Sequence, residues 1–245
     1  MGPFPTAPAW YRPLLLAEGS ILRVVLPKLR ETPSGERDPV SHHRRQEALG
    51  HEVAERLVPG TDRGADQHMP QHAARYAWAL RACEGRRVVD LGCGAGYGTV
   101  ILSSFARSTV GIDVSEDAVE LARSLYPSID FRVANLVEGE LPEADIAVCF
   151  EVLEHLEAPE RALERFFDAY PRVLLSLPNP LAGGSHINPH HLVDWPLTTL
   201  KRKLRDAGAK ELVIRRQGYF SPSVRRWRPA PSISWVIDAS REPVS

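Results

Sequence analysis

Two stretches of this chain carry residues whose types and spacing suit chemistry. The first is R-V-V-D-L-G-C-G-A-G-Y-G-T, Arg87 to Thr99, where a short apolar run holding Asp90 meets Gly92, Gly94 and Gly96 at alternate positions. Glycines so placed let the backbone turn sharply out of a strand, and they are expected to leave loop amides open to a ligand. The second is E-V-L-E-H, Glu151 to His155, joined by a histidine-rich stretch, S-H-I-N-P-H-H-L-V-D-W, Ser185 to Trp195. Glu151 and Glu154 are three residues apart, and His155 is four from Glu151. If a strand turned there straight into a helix, all three would face one cleft. Two carboxylates and two imidazoles at one place make either a mixed O/N metal site or a base with its orienting acid. The plainer alternative is that Glu151 fixes a loop while Glu154 and His155 are scaffold.

Such groups need a frame that brings them together, and the pattern of the chain supplies one. Apolar runs at Val88–Leu91, Thr109–Asp113, Ile129–Ala134, Asp145–Phe150 and Arg172–Leu177 read as strands. Helical stretches alternate with them: Pro70–Arg81 upstream, Gly98–Ala106, a helix capped by Ser115 and ending near Leu125, Pro159–Ala169, and Leu197–Ala207. Lys210–Arg215 and Ser232–Ala239 are further strand candidates. This alternation predicts an α/β fold with a mostly parallel sheet covered by helices on both faces. Ligands of such sheets bind at the carboxyl ends of the strands. That rim would hold the glycine loop, Asp113, Asn135 and Glu151.

Composition limits the partners. At 245 residues, 43% hydrophobic and 25% charged, the chain is that of an ordinary globular protein with a net charge of −1. No global field recruits nucleic acid or an acidic membrane, although Lys201 to Arg228 is locally basic. Cys83, Cys93 and Cys149 are few, widely spaced and odd in number, as in a reducing compartment, so a cytoplasmic location is expected. No apolar run reaches membrane-spanning length. Residues 1–60 are proline-rich and read as an extension, a cap or dimer contact, preceding a domain over 61–245.

The loop alone admits a dinucleotide or S-adenosylmethionine, and Asp113 would accept from ribose hydroxyls in either. Asp90 within the strand, the G-C-G-A-G spacing and Asn135 after the third strand favour S-adenosylmethionine. Taken in order, V-V-D-L-G-C-G-A-G-Y-G-T, G-I-D-V-S, F-R-V-A-N-L and A-D-I-A-V-C-F-E-V-L-E-H-L resemble a class I S-adenosylmethionine-dependent methyltransferase. The resemblance implies a seven-stranded Rossmann-like sheet with an antiparallel C-terminal strand. It implies a cofactor site of Asp90, Gly92, Cys93, Gly94, Gly96, Asp113, Val114, Asn135, Leu136 and Glu151. Relatives often carry Asp where Asn135 stands. The E-x-x-E-H motif is similar to that of ubiquinone-biosynthesis O-methyltransferases, which use a divalent metal there. With His191-Leu192-Val193-Asp194-Trp195 it also resembles small-RNA 3′-terminal ribose methyltransferases. By those likenesses Glu151, Glu154, His155 and His191 would hold a metal such as Mg²⁺, or His155 or His191 would act as base. The expected acceptor is a sugar or phenolic hydroxyl of a small molecule in secondary metabolism. Metal-dependent 2′-O-methylation of an RNA 3′ end is the alternative.

Overall fold

A computed structural model of the chain describes residues 69–182, 191–218, 224–225 and 232–242. The extension over 1–60 and the Ser185–His190 part of the histidine-rich stretch lie outside them. In chain order the helices are α1 (Met69–Cys83), α2 (Tyr97–Ser103), α3 (Glu116–Leu125), α4 (Pro159–Ala169) and α5 (Leu197–Asp206). The strands are β1 (Arg87–Leu91), β2 (Ser108–Asp113), β3 (Asp130–Val133), β4 (Ile146–Phe150), β5 (Arg172–Pro178), β6 (Glu211–Gly218), β7 (Val224–Arg225) and β8 (Ser232–Ser240). The five expected parallel strands form close to their expected limits. Local chemistry explains the boundaries. Ser115 accepts the amide of Ala118 and so starts α3, while Glu116 and Asp117 lie at the positive end of its dipole. Pro159 opens α4 at a position where its missing N–H costs nothing.

The sheet order is β3-β2-β1-β4-β5-β8-β6-β7, with β1 to β5 parallel. Strand β8 runs antiparallel between β5 and β6, giving the expected antiparallel C-terminal strand. The two-residue β7 adds a short eighth strand at the edge of the expected seven. A bidentate pair, Arg172 Nε and Nη2 to Asp238 at 2.8 and 2.6 Å, ties β5 to β8.

Both faces of the sheet are covered, so its strands are apolar on both sides. Val88 joins the core under α1, α2 and α3, with Tyr76, Leu80, Ile101 and Val119. Its neighbour Val89 joins the opposite core with Phe166, Phe167, Leu200 and Leu204 of α4 and α5. Apolar burial of this kind stabilises by roughly 25 cal/mol per Å². Cys83, Cys93 and Cys149 are all buried, and none is in a disulfide. Among the described residues no helix is long and apolar enough to cross a membrane.

Candidate cofactor and acceptor site

The glycine loop leaves β1 with left-handed backbone at Gly92 (φ 77°) and again at Gly96 (φ 83°), where it turns into α2. Side chains are excluded at both places. A Cβ on Gly92 would stand 2.5 Å from Val152 Cγ2, and one on Gly96 would stand 2.6 Å from Phe131 Cζ. Gly92 therefore lets the loop pack directly on the turn that follows β4. Four of the loop amides are bonded within the protein, contrary to the sequence-based expectation of an open loop. Gly92 and Cys93 both donate to the Ile112 carbonyl at 2.8 and 2.9 Å, Gly94 to Asp113 Oδ2 at 2.9 Å, and Gly96 to the Cys93 carbonyl at 3.0 Å. Bonds to β2 and within the loop hold its shape in advance of any ligand.

The second strand brings Asp113 to the same rim, 6% exposed, with Oδ1 accepting from the Ser115 amide at 3.0 Å. Val114 beside it is 61% exposed, an apolar surface at the place where a flat base could stack. Beyond β3, Asn135 Oδ1 accepts from the amides of Val137 and Glu138, forming an Asx turn, so what it offers outward is its amide N–H₂. Leu136 is buried behind it.

Asp90 lies beneath the loop. It is 1% exposed and accepts from Thr99 Oγ1 at 2.7 Å and from the Tyr76 hydroxyl at 3.1 Å. It thereby ties α1 and α2 to β1. Burial pushes its carboxyl up to about 7, although both hydroxyls favour the ionised form.

After β4 the chain does not run straight into a helix. Glu151 takes a left-handed conformation (φ 55°), and a 3₁₀ turn spans Leu153–His155. This reversal divides the expected four-residue cluster. Glu154, His155 and His191 converge, with candidate ligand atoms all within 4.8 Å of one another. The two imidazoles meet edge to face with centroids 5.0 Å apart, and the Leu192 amide donates to the Glu154 carbonyl at 2.7 Å. Both Glu154 oxygens and His191 Nδ1 are buried without a hydrogen-bond partner. Burial, then the nearby Glu151 charge, pushes the Glu154 carboxyl well above the usual carboxylate range.

Glu151 points elsewhere. Its Oε1 accepts from Ser176 Oγ at 2.8 Å and lies 3.6 Å from Arg75 Nη1, while Oε2 accepts from Ser234 Oγ at 3.4 Å. Of these partners, Arg75 lies on α1, within the helix expected over Pro70–Arg81. It is neither exposed nor isolated, being 2% accessible. A signal was present: Ala73, Ala74, Tyr76, Ala77, Ala79 and Leu80 around it are all buried, and an arginine in so apolar a helix must find partners inside.

Residues 89–170 match the family model described as a methyltransferase domain. A "Probable S-adenosylmethionine-dependent methyltransferase" of Mycolicibacterium smegmatis is 33% identical over 167 residues, 64% of each chain. One of Mycobacterium tuberculosis is 32% identical over 171 residues, 66% of this chain and 62% of that one. The chain thus spans somewhat less than two thirds of the length of these curated relatives. A ubiquinone biosynthesis O-methyltransferase of Alkalilimnicola ehrlichii is 32% identical over 94 residues, 36% of this chain and 38% of that one. Among solved structures, the N-terminal domain of EvdMO1 with SAH bound superposes with a TM-score of 0.59 at 18% identity, over 86% of this chain and 99% of that one. Residues 89–170 thus match a methyltransferase domain, and the sheet order, the glycine loop packed on the turn after β4, and these likenesses give the chain the fold of the class I S-adenosylmethionine-dependent methyltransferases.

Proposed function

We propose that the protein moves a methyl group from S-adenosylmethionine to a hydroxyl of a small-molecule acceptor. The observation that carries this reading is the Glu154–His155–His191 cluster, set on the turn that packs against the glycine loop. The rim fits the cofactor: a preformed loop at Gly92–Gly96, a carboxylate at Asp113 and apolar surface at Val114 and Leu136. When bound, S-adenosylmethionine supplies an electrophilic methyl on a sulfonium, so the protein must align an acceptor and manage its proton. A hydroxyl is a weak nucleophile until that proton leaves. His155, exposed at the rim, or His191 can accept it, with the buried Glu154 carboxyl group beside them.

The same three residues fit a divalent metal, because a buried carboxylate and an imidazole nitrogen without partners are groups that a cation would satisfy. One carboxylate with two imidazoles suits Zn²⁺, Fe²⁺ or Mn²⁺ better than Mg²⁺, which prefers oxygen ligands. A metal held there would polarise the acceptor oxygen and lower the pKa of its hydroxyl.

Calorimetric titration with S-adenosylmethionine, followed by methyl transfer to a panel of sugar and phenolic acceptors with chelator or added Mn²⁺, tests the reading. We expect the cofactor to bind and His191→Ala to lose transfer while still binding it. Full transfer by His191→Ala would overturn the assignment. The exposed Lys201, Arg202 and Arg205 on α5, soon after Trp195, favour RNA as a second acceptor class. Transfer to an RNA 3′ end that periodate oxidation abolishes would establish that class instead.

A further inference from the structure

A buried polar clamp lies behind Glu151, and no step of the chemistry above uses it. Its centre is Arg75 of α1. Nε donates to Gln217 Oε1 at 2.8 Å and Nη2 to Ser234 Oγ at 3.0 Å, while Nη1 faces Glu151 Oε1 at 3.6 Å. The Gln217 amide is fixed from its other end, since Nε2 donates to the Gln71 carbonyl at 2.9 Å. Ser234 accepts from Arg75 and donates its hydroxyl hydrogen bond to Glu151 Oε2 at 3.4 Å, and Ser176 donates to Oε1 at 2.8 Å. Gln217, Ser234, Ser176, Arg75 and Gln71 are all buried, whereas the Glu151 side chain is 15% exposed. Among these residues the most accessible group is the carboxylate of Glu151.

Two backbone irregularities lie at its ends. Glu151 holds a left-handed φ, a conformation that strains a non-glycine residue and persists only where its surroundings fix it. The β6–β8 register slips between Gln217 and Gly218, and a slip of that kind re-aims side chains near a site. An arginine buried between elements more than 140 residues apart in sequence is costly unless its charge is matched, and Glu151 is the acid it faces.

We propose that Arg75 is a positioning residue for the cofactor. Through Ser234 and its own charge it holds the Glu151 carboxyl group in one orientation, so that the acid at the end of β4 faces the cationic part of S-adenosylmethionine. The proposal rests on the cofactor reading above. It assigns Glu151 to the cofactor side of the rim and leaves the Glu154–His155–His191 cluster to the acceptor.

The test is a double-mutant cycle read by calorimetric S-adenosylmethionine binding, with melting midpoints measured alongside. Arg75→Met keeps the apolar stem of the side chain but removes the charged guanidinium. Ser234→Ala is the milder variant should Arg75→Met not fold. Arg75→Met is expected to weaken binding roughly 10- to 100-fold and Ser234→Ala roughly 3- to 10-fold, the range for a charged hydrogen-bonded partner and a neutral one. In a Glu151→Gln background each should have little further effect, because both act through that carboxylate. A merely structural arginine would lower the melting midpoint yet leave the affinity of the folded protein unchanged. That result, or losses that simply add to those of Glu151→Gln, would overturn the proposal. Wild-type protein that binds no S-adenosylmethionine would instead overturn the cofactor reading, and this inference with it.

Discussion

The buried acid beneath the glycine loop makes the stability of the fold depend on pH in a calculable way. Asp90 is fully enclosed, and its carboxyl is raised from 3.8 to about 7. Because the folded state holds this proton more tightly than the unfolded chain, the folded state is favoured at low pH. The benefit is complete below about pH 4 and is lost as pH rises through about 7. The full interval corresponds to roughly 4 kcal/mol, and the part falling between pH 5 and pH 8 to roughly 3 kcal/mol, as an upper bound. Asp90→Asn removes the titration while keeping an oxygen for Thr99 and Tyr76. It also leaves an amide N–H₂ in a dry place, which costs about 1–3 kcal/mol at every pH. Urea unfolding of both proteins at pH 5 and pH 8 separates the two effects. The wild type should lose up to roughly 3 kcal/mol more than the variant between the two pH values, whatever their absolute stabilities. Equal losses, or a wild type that gains on the variant as pH rises, would refute the reasoning.

Gly98→Ala places a methyl 2.0 Å from Tyr76 Cζ, so the ring must move and its hydroxyl must leave Asp90; a loss of roughly 1–3 kcal/mol is expected, read as a lower thermal midpoint. Glu154→Gln should behave in the opposite sense in metal-free protein. The folded state disfavours the ionised carboxylate, so the wild type loses stability as pH rises and the non-titrating variant should gain on it between pH 5 and pH 8, while Mn²⁺ should raise the midpoint of the wild type and not of the variant.

Periodicity made the sheet legible because strands buried on both faces are unbroken apolar runs, and V-L-L-S-L at Val173–Leu177 has no other economical reading. The glycine loop was equally legible, since only glycine tolerates the conformations at Gly92 and Gly96. What spacing could not reveal was direction. E-x-x-E-H presents three ligands to one cleft only on a regular helix, and the left-handed Glu151 removes its own side chain from that face. The clamp was hidden for a different reason. Arg75, Ser176, Gln217 and Ser234 come from α1, β5, β6 and β8, and nothing local marks a serine in a strand as the partner of an acid 83 residues before it. The two-residue β7 is too short for any periodic signal.

The position of β8 carries a consequence for how this sheet is assembled during synthesis. β6 emerges from the ribosome earlier, yet its place in the sheet exists only once β8 has paired with β5. Until Ser232–Ser240 has been made, β5 presents an open apolar edge and β6 has only the two-residue β7 to pair with, the exposure that invites pairing between chains. The last strand is a keystone. A nascent chain arrested before it, or a truncation that removes it, should therefore depend on chaperones far more than its short length suggests.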